Sequence, residues 1–385
     1  MMKKIPYGHQ YITDEDIQAI VEVLKSDFMT QGPKIAEFEQ AFAKHVGAKY
    51  AVAVSNGTAA LHISAMALGV RPGDNVIVTP LTFVASANCV RYCGGNVCFC
   101  DIDPDTFLMD LNKLEAMLAA KPKGYYKGVI PVDFAGYPIH ADGLRQIADR
   151  YGLWIIEDAC HAPGATFLDK NGKKQQAGSG VFTNLTVFSF HPVKHVATGE
   201  GGMITTNDPE LQYKLRCYRS HGIAQDSSKL RENRGCWYYE MQELGFNYRI
   251  TDFQCALGLS QLKRLDWSLE CRQKIAEKYN CAFADYPQIK TPFVAKDVYH
   301  AYHLYVIEIE DRKGLIDYLR ANNIFAQVHY EPVHLMPYYQ DLGNKRGDLP
   351  VVEHYSQHCL SLPMFPTLTE KEQDYVITKV LEFIK

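Results

Sequence analysis

"ADGLRQIADRYGLWIIEDACHA", residues 141–162, joins a helical stretch to an apolar run that ends on two carboxylates. LWIIED has the β-branched, continuous hydrophobicity of a strand buried on both faces. It is one unit of a series. The runs AVAVS, NVIVTP, VCFCDI and GVIPVDF read the same way, and helical stretches such as TAALHISAMALGV alternate with them. Strand and helix taking turns predict an α/β fold whose mostly parallel sheet is covered on both faces. In such sheets ligands collect beyond the carboxyl ends of the strands, so functional residues are expected just after the apolar runs.

Polar or aromatic residues stand at those positions. Ser55-Asn56-Gly57-Thr58 follows the first run, Pro80-Leu81-Thr82-Phe83 the second, and Asp133 ends GVIPVDF. Glu157-Asp158-Ala159-Cys160-His161 closes LWIIED, and Lys194 follows LTVFSF. SNGTAAL opens a helix whose free N–H groups and dipole suit a phosphate; an ordinary capped strand-to-helix turn explains that stretch equally well. The Glu157–Asp158 pair is costly at the end of an apolar strand unless partnered. A protonated pyridine nitrogen is one possible partner for such a carboxylate, a helix cap or structural ion pair another. His161 alone reads as a core histidine. Lys194 sits in SFHPVKHVATGEGG, residues 189–202, between two histidines and ahead of a glycine run. A lysine forms a Schiff base only when its amine is neutral, which takes burial or neighbouring cations; a solvated loop lysine is the commoner fate.

Composition narrows the field. The 385 residues are 47% hydrophobic and 22% charged, with net charge -4, an ordinary globular balance and not that of a nucleic-acid binder. Eleven cysteines show no Cys-x-x-Cys spacing, so reduced core thiols in a cytoplasmic setting are expected and no metal site. No apolar run approaches membrane-spanning length, and with no apolar run behind the lysines of MMKKIPYGHQ no signal peptide is expected. Neither G-x-G-x-x-G nor G-x-x-x-x-G-K-[ST] occurs, nor H-E-x-x-H, nor a G-x-S-x-G elbow. A lysine, a strand-end aspartate, an aromatic residue and a phosphate-type turn remain, and these are the parts of a pyridoxal phosphate site.

Along the chain, Thr13 caps a first helix and IAEFEQAFAKHVG is a second, stopped by Gly47. From about residue 250 the texture changes. TDFQCALGLSQLKRLDWSLECRQKIAEKYNCAF reads as one long helix or two, followed by strands near AYHLYVIEIE and FAQVHY and a last helix at TEKEQDYVITKVLEFIK. A large domain over 1–250 and a small α+β domain over 251–385 are expected.

Taken in order, SNGTAAL, TPLTFVASAN, PVDFAG, EDACHA, SFHPVKHVATGEGG, RSHG, GFNYRITDFQCALGLSQLKRLD and VHYEPVH strongly resemble the DegT/StrS family of nucleotide-sugar aminotransferases. The likeness runs from TQGP at residue 30 to past residue 330. It implies the aspartate-aminotransferase type fold (fold type I), a homodimer with shared active sites, and pyridoxal 5'-phosphate as cofactor. It also implies residue roles. Lys194 would bond to the cofactor aldehyde and Asp158 would pair with the pyridine nitrogen. Phe83 would stack on the ring, with His161 beside it. Thr58, Ala59 and Ser189 would hold the phosphate, and Asn247 would reach it from the other subunit. Tyr7, Thr30, Asp133, His329 and Tyr330 would lie near the sugar nucleotide.

Within the family, the likeness around Asp133 and AQVHY, residues 326–330, points to the branch serving pseudaminic acid synthesis. That branch implies amination of a UDP-linked 4-keto-6-deoxy-N-acetylhexosamine, with glutamate as donor. Other keto sugars, a 3-keto hexose or a UDP-4-keto-pentose, are the alternative substrates. A sugar dehydratase is disfavoured because Lys194 is present. A regulatory homologue is disfavoured because Asp158 and the phosphate residues are present too.

Overall fold

The computed structural model describes residues 3–224, 226, 228–232 and 234–385. Its central sheet has seven strands: β1 (Tyr50–Val54), β2 (Asn75–Val78), β3 (Asn96–Phe99), β4 (Tyr126–Ile130), β5 (Trp154–Asp158), β6 (Leu185–Ser189) and β7 (Gly202–Thr206). Their spatial order is β1-β7-β6-β5-β4-β2-β3. Only β7 is antiparallel to its neighbours, β1 and β6; β2 to β6 pair in parallel. The alternating runs in the sequence are these strands.

Side chains alternate across a strand, and each face of the sheet finds its own cover. Val52 and Val54 of β1 join Val76, Val78, Ile156 and Val187 in one apolar layer. Ala51 and Ala53 face the other side, against Phe38, Phe42, Phe188 and Phe190. The small alanines leave room for those four rings, each fully buried and each contributing roughly 1.5–3 kcal/mol by burial.

Two N-terminal helices, α1 (Asp14–Leu24) and α2 (Pro33–Val46), follow the expected signals. Thr13 caps α1 with a reciprocal Asp16 contact, and Gly47 ends α2 at φ 78°. The helix α3 (Gly57–Ala67) starts directly beyond β1, and α4 (Ala85–Tyr92) beyond β2. The long stretch after residue 250 is two helices, α5 (Asp252–Leu262) and α6 (Leu265–Phe283), separated at Lys263–Arg264. Arg264 turns there to pair with buried Asp16 of α1 at 2.6 Å. Asp252, fully buried, accepts the Gly32 and Lys34 amides at 2.8 and 3.0 Å. It therefore satisfies free N–H groups at the start of α2 from a distant part of the chain.

Toward the C-terminus, β8 (Tyr305–Glu308) pairs antiparallel with β9 (Cys359–Leu362). Tyr279, Phe283, Leu315, Ile324, Leu360 and Val376 pack around this pair, as does Ile5 from the N-terminus. Ile5–Pro6 lies parallel to Ile324–Phe325, and the Met364 amide donates to the Tyr7 carbonyl at 2.9 Å. The first residues thus return to the last third of the chain. Of FAQVHY, residues 325–330, only Phe325 lies in a strand, the short Ile324–Phe325; beyond it Gln327 bridges Ser361, and His329 and Tyr330 lie in irregular backbone. All eleven cysteines are free. Among the described residues no helix is long and apolar enough to cross a membrane.

Replacing Asp252 by Ala would strand two amides at the start of α2. Loss of about 1–3 kcal/mol is expected, read as a lower denaturant midpoint, whereas Asp252→Asn, which keeps one acceptor oxygen, is expected to lose less.

Candidate active site

The carboxyl ends of β1, β2, β5 and β6 open into one cleft of about 720 Å³. Lys194, Asp158, His161, Thr58, Ala59, Phe83, Ser189, Tyr7, His329 and Tyr330 all line it. Residues spread over more than 300 positions of sequence therefore meet in one place, as the strand-end rule requires.

At one end α3 begins. Asn56 caps it by accepting the Ala59 amide at 2.8 Å, and the Gly57 and Thr58 amides find no acceptor among the described residues. Ser189 stands close by: a Cβ on Gly57 would lie 3.1 Å from the Ser189 Cβ. Two open amides, two hydroxyls and a helix N-terminus make a cradle for a dianionic phosphate.

The middle of the cleft carries the charge. The Asp158 carboxylate is 5% exposed. Its Oδ2 accepts from Ser86 Oγ at 2.6 Å, and its Oδ1 accepts from the Cys160 amide at 3.2 Å. Thr82 Oγ1 meets Ser86 Oγ at 2.7 Å. This aims the carboxylate, and Phe83, 60% exposed, offers a ring at the cleft. Across from it the Lys194 amine lies 3.3 Å from His303 Nε2. Burial lowers the Lys194 pKa to about 8, with Cys160 and Asp158 opposing.

His161 is fixed as a neutral tautomer. Its Nδ1 accepts the Ala135 amide at 3.3 Å, so Nε2 holds the proton and donates to Tyr330 Oη at 3.3 Å. Burial and then the Lys194 charge keep its pKa well below the usual value. His329, bonded through Nδ1 to Ser361 Oγ at 2.8 Å, is pushed down to about 3 for the same reasons. Burial raises the Tyr330 phenol.

Three expected residues lie outside the lining of the cleft in the single chain. Thr30 pairs with Thr251 on the surface, and Asn247 pairs with Ser220 and is exposed. Asp133, expected beside the sugar nucleotide, is instead fully buried behind the strand ends. Its amide donates to the Asp158 carbonyl at 3.0 Å and its Oδ1 accepts the Ile139 amide at 2.9 Å. Burial first, then Glu157, raise the Asp133 pKa well above the usual carboxyl value. The Glu157 pKa is raised too, by burial, although Thr186 Oγ1 donates to it at 2.6 Å. Two carboxyls in one dry site cannot both ionise, so Asp133 acts here as a buried acid.

Sequence reasoning missed Ser86, Tyr92, Glu200, Tyr248 and His303 in the lining. Ser86 follows Phe83 by three residues at the start of α4, a spacing that could have flagged it. His303 had only a weak signal: a histidine inside the apolar HAYHLYV.

This arrangement fits pyridoxal phosphate: open amides for the phosphate, an aimed carboxylate for the ring nitrogen, and an amine of lowered pKa for the aldehyde. The chain matches the DegT/DnrJ/EryC1/StrS aminotransferase family over residues 10–381. It belongs to that family. It is 40% identical to the spore coat polysaccharide biosynthesis protein SpsC of Bacillus subtilis, over 99% of this chain and 97% of that one. Among solved structures it superposes on Helicobacter pylori PseC, an aminotransferase involved in the biosynthesis of pseudoaminic acid. There the TM-score is 0.88 at 29% identity, over 99% of both chains. Spr1654 of Streptococcus pneumoniae, solved in a PMP form, gives 0.89 at 29% identity over 98% of both. The DegT family chain is thus a pyridoxal phosphate-dependent sugar aminotransferase with the fold type I architecture.

With the cofactor absent, amine-directed modification of Lys194 should rise with pH through a midpoint near 8, because only the neutral amine reacts. Peptide mapping across pH reads this; a midpoint near the ordinary lysine value of ~10.4 would mean the amine is solvated.

Proposed function

We propose that this enzyme transfers an amino group from L-glutamate to carbon 4 of a UDP-linked 4-keto-6-deoxy-N-acetylhexosamine, in surface-sugar biosynthesis of the pseudaminic acid type. The observation that carries the chemistry is the meeting of an amine of pKa about 8, a buried aimed carboxylate and an open helix N-terminus in one cleft. The sugar assignment is supported by the likeness to PseC over both whole chains and by the polysaccharide role in the name of SpsC.

When bound, pyridoxal phosphate would supply an aldehyde for the donor's nitrogen and a protonated ring as the electron sink for the carbon that loses its proton. The chain does the rest. Lys194 Nζ takes the proton from the donor's α-carbon and, in the second half of the cycle, delivers one to carbon 4 of the sugar. Asp158 holds the proton on the ring nitrogen by charge pairing. Phe83 would cover the ring, with His161 beside it, since both line the cleft. Thr58, Ala59 and Ser189 anchor the phosphate, which fixes the reacting carbon relative to Lys194. Tyr7, His329 and Tyr330 form the wall that meets the sugar.

We further propose a homodimer, and a cytoplasmic setting consistent with the free cysteines. Asn247 then reaches the phosphate held by the other subunit, and Thr30 borders the sugar nucleotide. Asp133 supports the strand ends from behind instead of touching substrate. The two-domain division expected near residue 250 is proposed with its boundary inside α6, because Cys255, Leu265 and Leu269 pack with α2 while Ile275, Tyr279 and Phe283 pack with the C-terminal section.

Asp158→Asn is expected to keep the fold and lower kcat by more than ~10-fold, which is about 1.4 kcal/mol of barrier. A smaller loss in steady-state assays means Asp158 does not hold that proton. A panel of UDP- and dTDP-linked keto sugars with glutamate tests the substrate. The UDP-linked 4-keto-6-deoxy-N-acetylhexosamine should turn over fastest, and turnover of the pentose alone would replace the substrate while keeping the aminotransferase.

A further inference from the structure

Among the described residues His303 is the one side chain that hydrogen-bonds to the Lys194 amine, 3.3 Å from Nζ to Nε2. It is 4% exposed. Its backbone is pinned on both sides. The Ala301 amide donates to the Gly136 carbonyl at 2.8 Å and the Leu304 amide to the Ala135 carbonyl at 3.1 Å. Arg272 of α6 donates to the carbonyls of Tyr302 and His303 at 2.9 and 3.3 Å. The ring packs 4.4 Å from the His161 ring and 5.7 Å from that of His195. His303 Nδ1 is buried and has no hydrogen-bond partner among the described residues.

We propose that His303 is a further catalytic residue: through Nε2 it binds the reacting amine in both charge states, accepting from the ammonium and donating to the neutral amine, so that its ring proton changes nitrogen with the charge on Lys194. This rests on Lys194 being the reactive amine, as proposed above.

The argument is one of donors and acceptors. The charged groups facing the ring are Lys194 and Arg272, both cations, and the histidines beside it are neutral. Burial, then the Lys194 charge, hold the His303 pKa well below its ordinary value. The ring is therefore neutral, with one N–H. Facing an ammonium, Nε2 must accept, which leaves the N–H on Nδ1, a buried donor with nothing to bond. Facing a neutral amine, Nε2 can donate to its lone pair, and Nδ1 carries no proton. Nδ1 is unpaired in either tautomer, so the ring proton follows the charge that Nε2 faces. Burial favours neutral Lys194, and Cys160 and Asp158 oppose it. The proton count balances: the ammonium loses one proton to its carbon acceptor or to solvent, and the imidazole keeps its single proton at the other nitrogen. An amine poised in this way can take a proton from one carbon and give it up to another.

The test is nitrogen-15 NMR of the full-length, histidine-labelled chain freed of cofactor, titrated from about pH 6 to about pH 10. The His303 signal is the one lost in His303→Gln. The expected result is the Nδ1–H form below the Lys194 midpoint of about 8 and the Nε2–H form above it. Lys194→Met, which keeps the length of the stem, should abolish the change. A single His303 form throughout the wild-type titration, or an imidazolium above about pH 6, overturns the proposal. The reactive role of Lys194 is read separately: borohydride should fix cofactor to its peptide, and an active Lys194→Met enzyme would end that role without altering the NMR result.

Discussion

Keeping one amine short of water is the constraint around which the cleft is built. A solvated lysine stays charged at neutral pH and is neither base nor nucleophile. Here the loop that follows β6 folds back on itself. The Lys194 amide donates to the His191 carbonyl at 2.8 Å, the Thr198 amide returns to Phe190 at 2.9 Å, and His195 Nε2 bonds the Ala301 carbonyl at 2.9 Å. Phe190 and Val196, both fully buried, hold the loop in the core. The backbone fixes where the stem points, and burial then sets the proton affinity.

The sheet order explains how so many unlike residues reach that amine. β5 and β6 are neighbours, so Asp158 and Lys194 leave adjacent strand ends. β7 returns antiparallel between β6 and β1, which brings the start of α3 to the Ser189 side of the cleft. Gly57 is needed there because any side chain would crowd Ser189. The opposite wall comes from the C-terminal section and from Tyr7, which the Ile5–Pro6 pairing carries to it. Backbone groups do most of this positioning, which leaves the side chains free for chemistry.

What was legible in the sequence follows from the same division. Strands β1, β2, β4, β5 and β6 announce themselves because they are buried on both faces and largely apolar without alternation. Lys194, Asp158 and Thr58 were legible because they sit just beyond those runs. The C-terminal section was less so. FAQVHY looks like a strand, yet only two residues pair, since His329 and Tyr330 are drawn to the cleft. No glycine or proline marks the junction of α5 and α6 at Lys263–Arg264, and the turn of Arg264 toward Asp16 is a long-range contact that no local pattern encodes. Asp133 stands at a strand end like the other candidates. Whether such a residue faces the cleft or the core behind it depends on the direction of a side chain after the strand has ended, which periodicity does not give. His303 comes from a segment whose register is set by Gly136.

Backbone strain gathers at that last contact. Ala135 and Tyr302 hold φ of 58° and 46°, and Gly136 holds 103°, so two loops are both left-handed where they meet. A non-glycine residue in that region costs on the order of 1–3 kcal/mol. A Cβ on Gly136 would lie 2.8 Å from the Tyr302 amide nitrogen and 3.0 Å from that of His303. The loops stay strained because they are bonded to each other, and one of them, through the Ala135 amide, also fixes the tautomer of His161. His161 and His303 are therefore not independent. The strained backbone that aims one imidazole at Tyr330 also aims the other at Lys194, so relaxing either loop would misplace both.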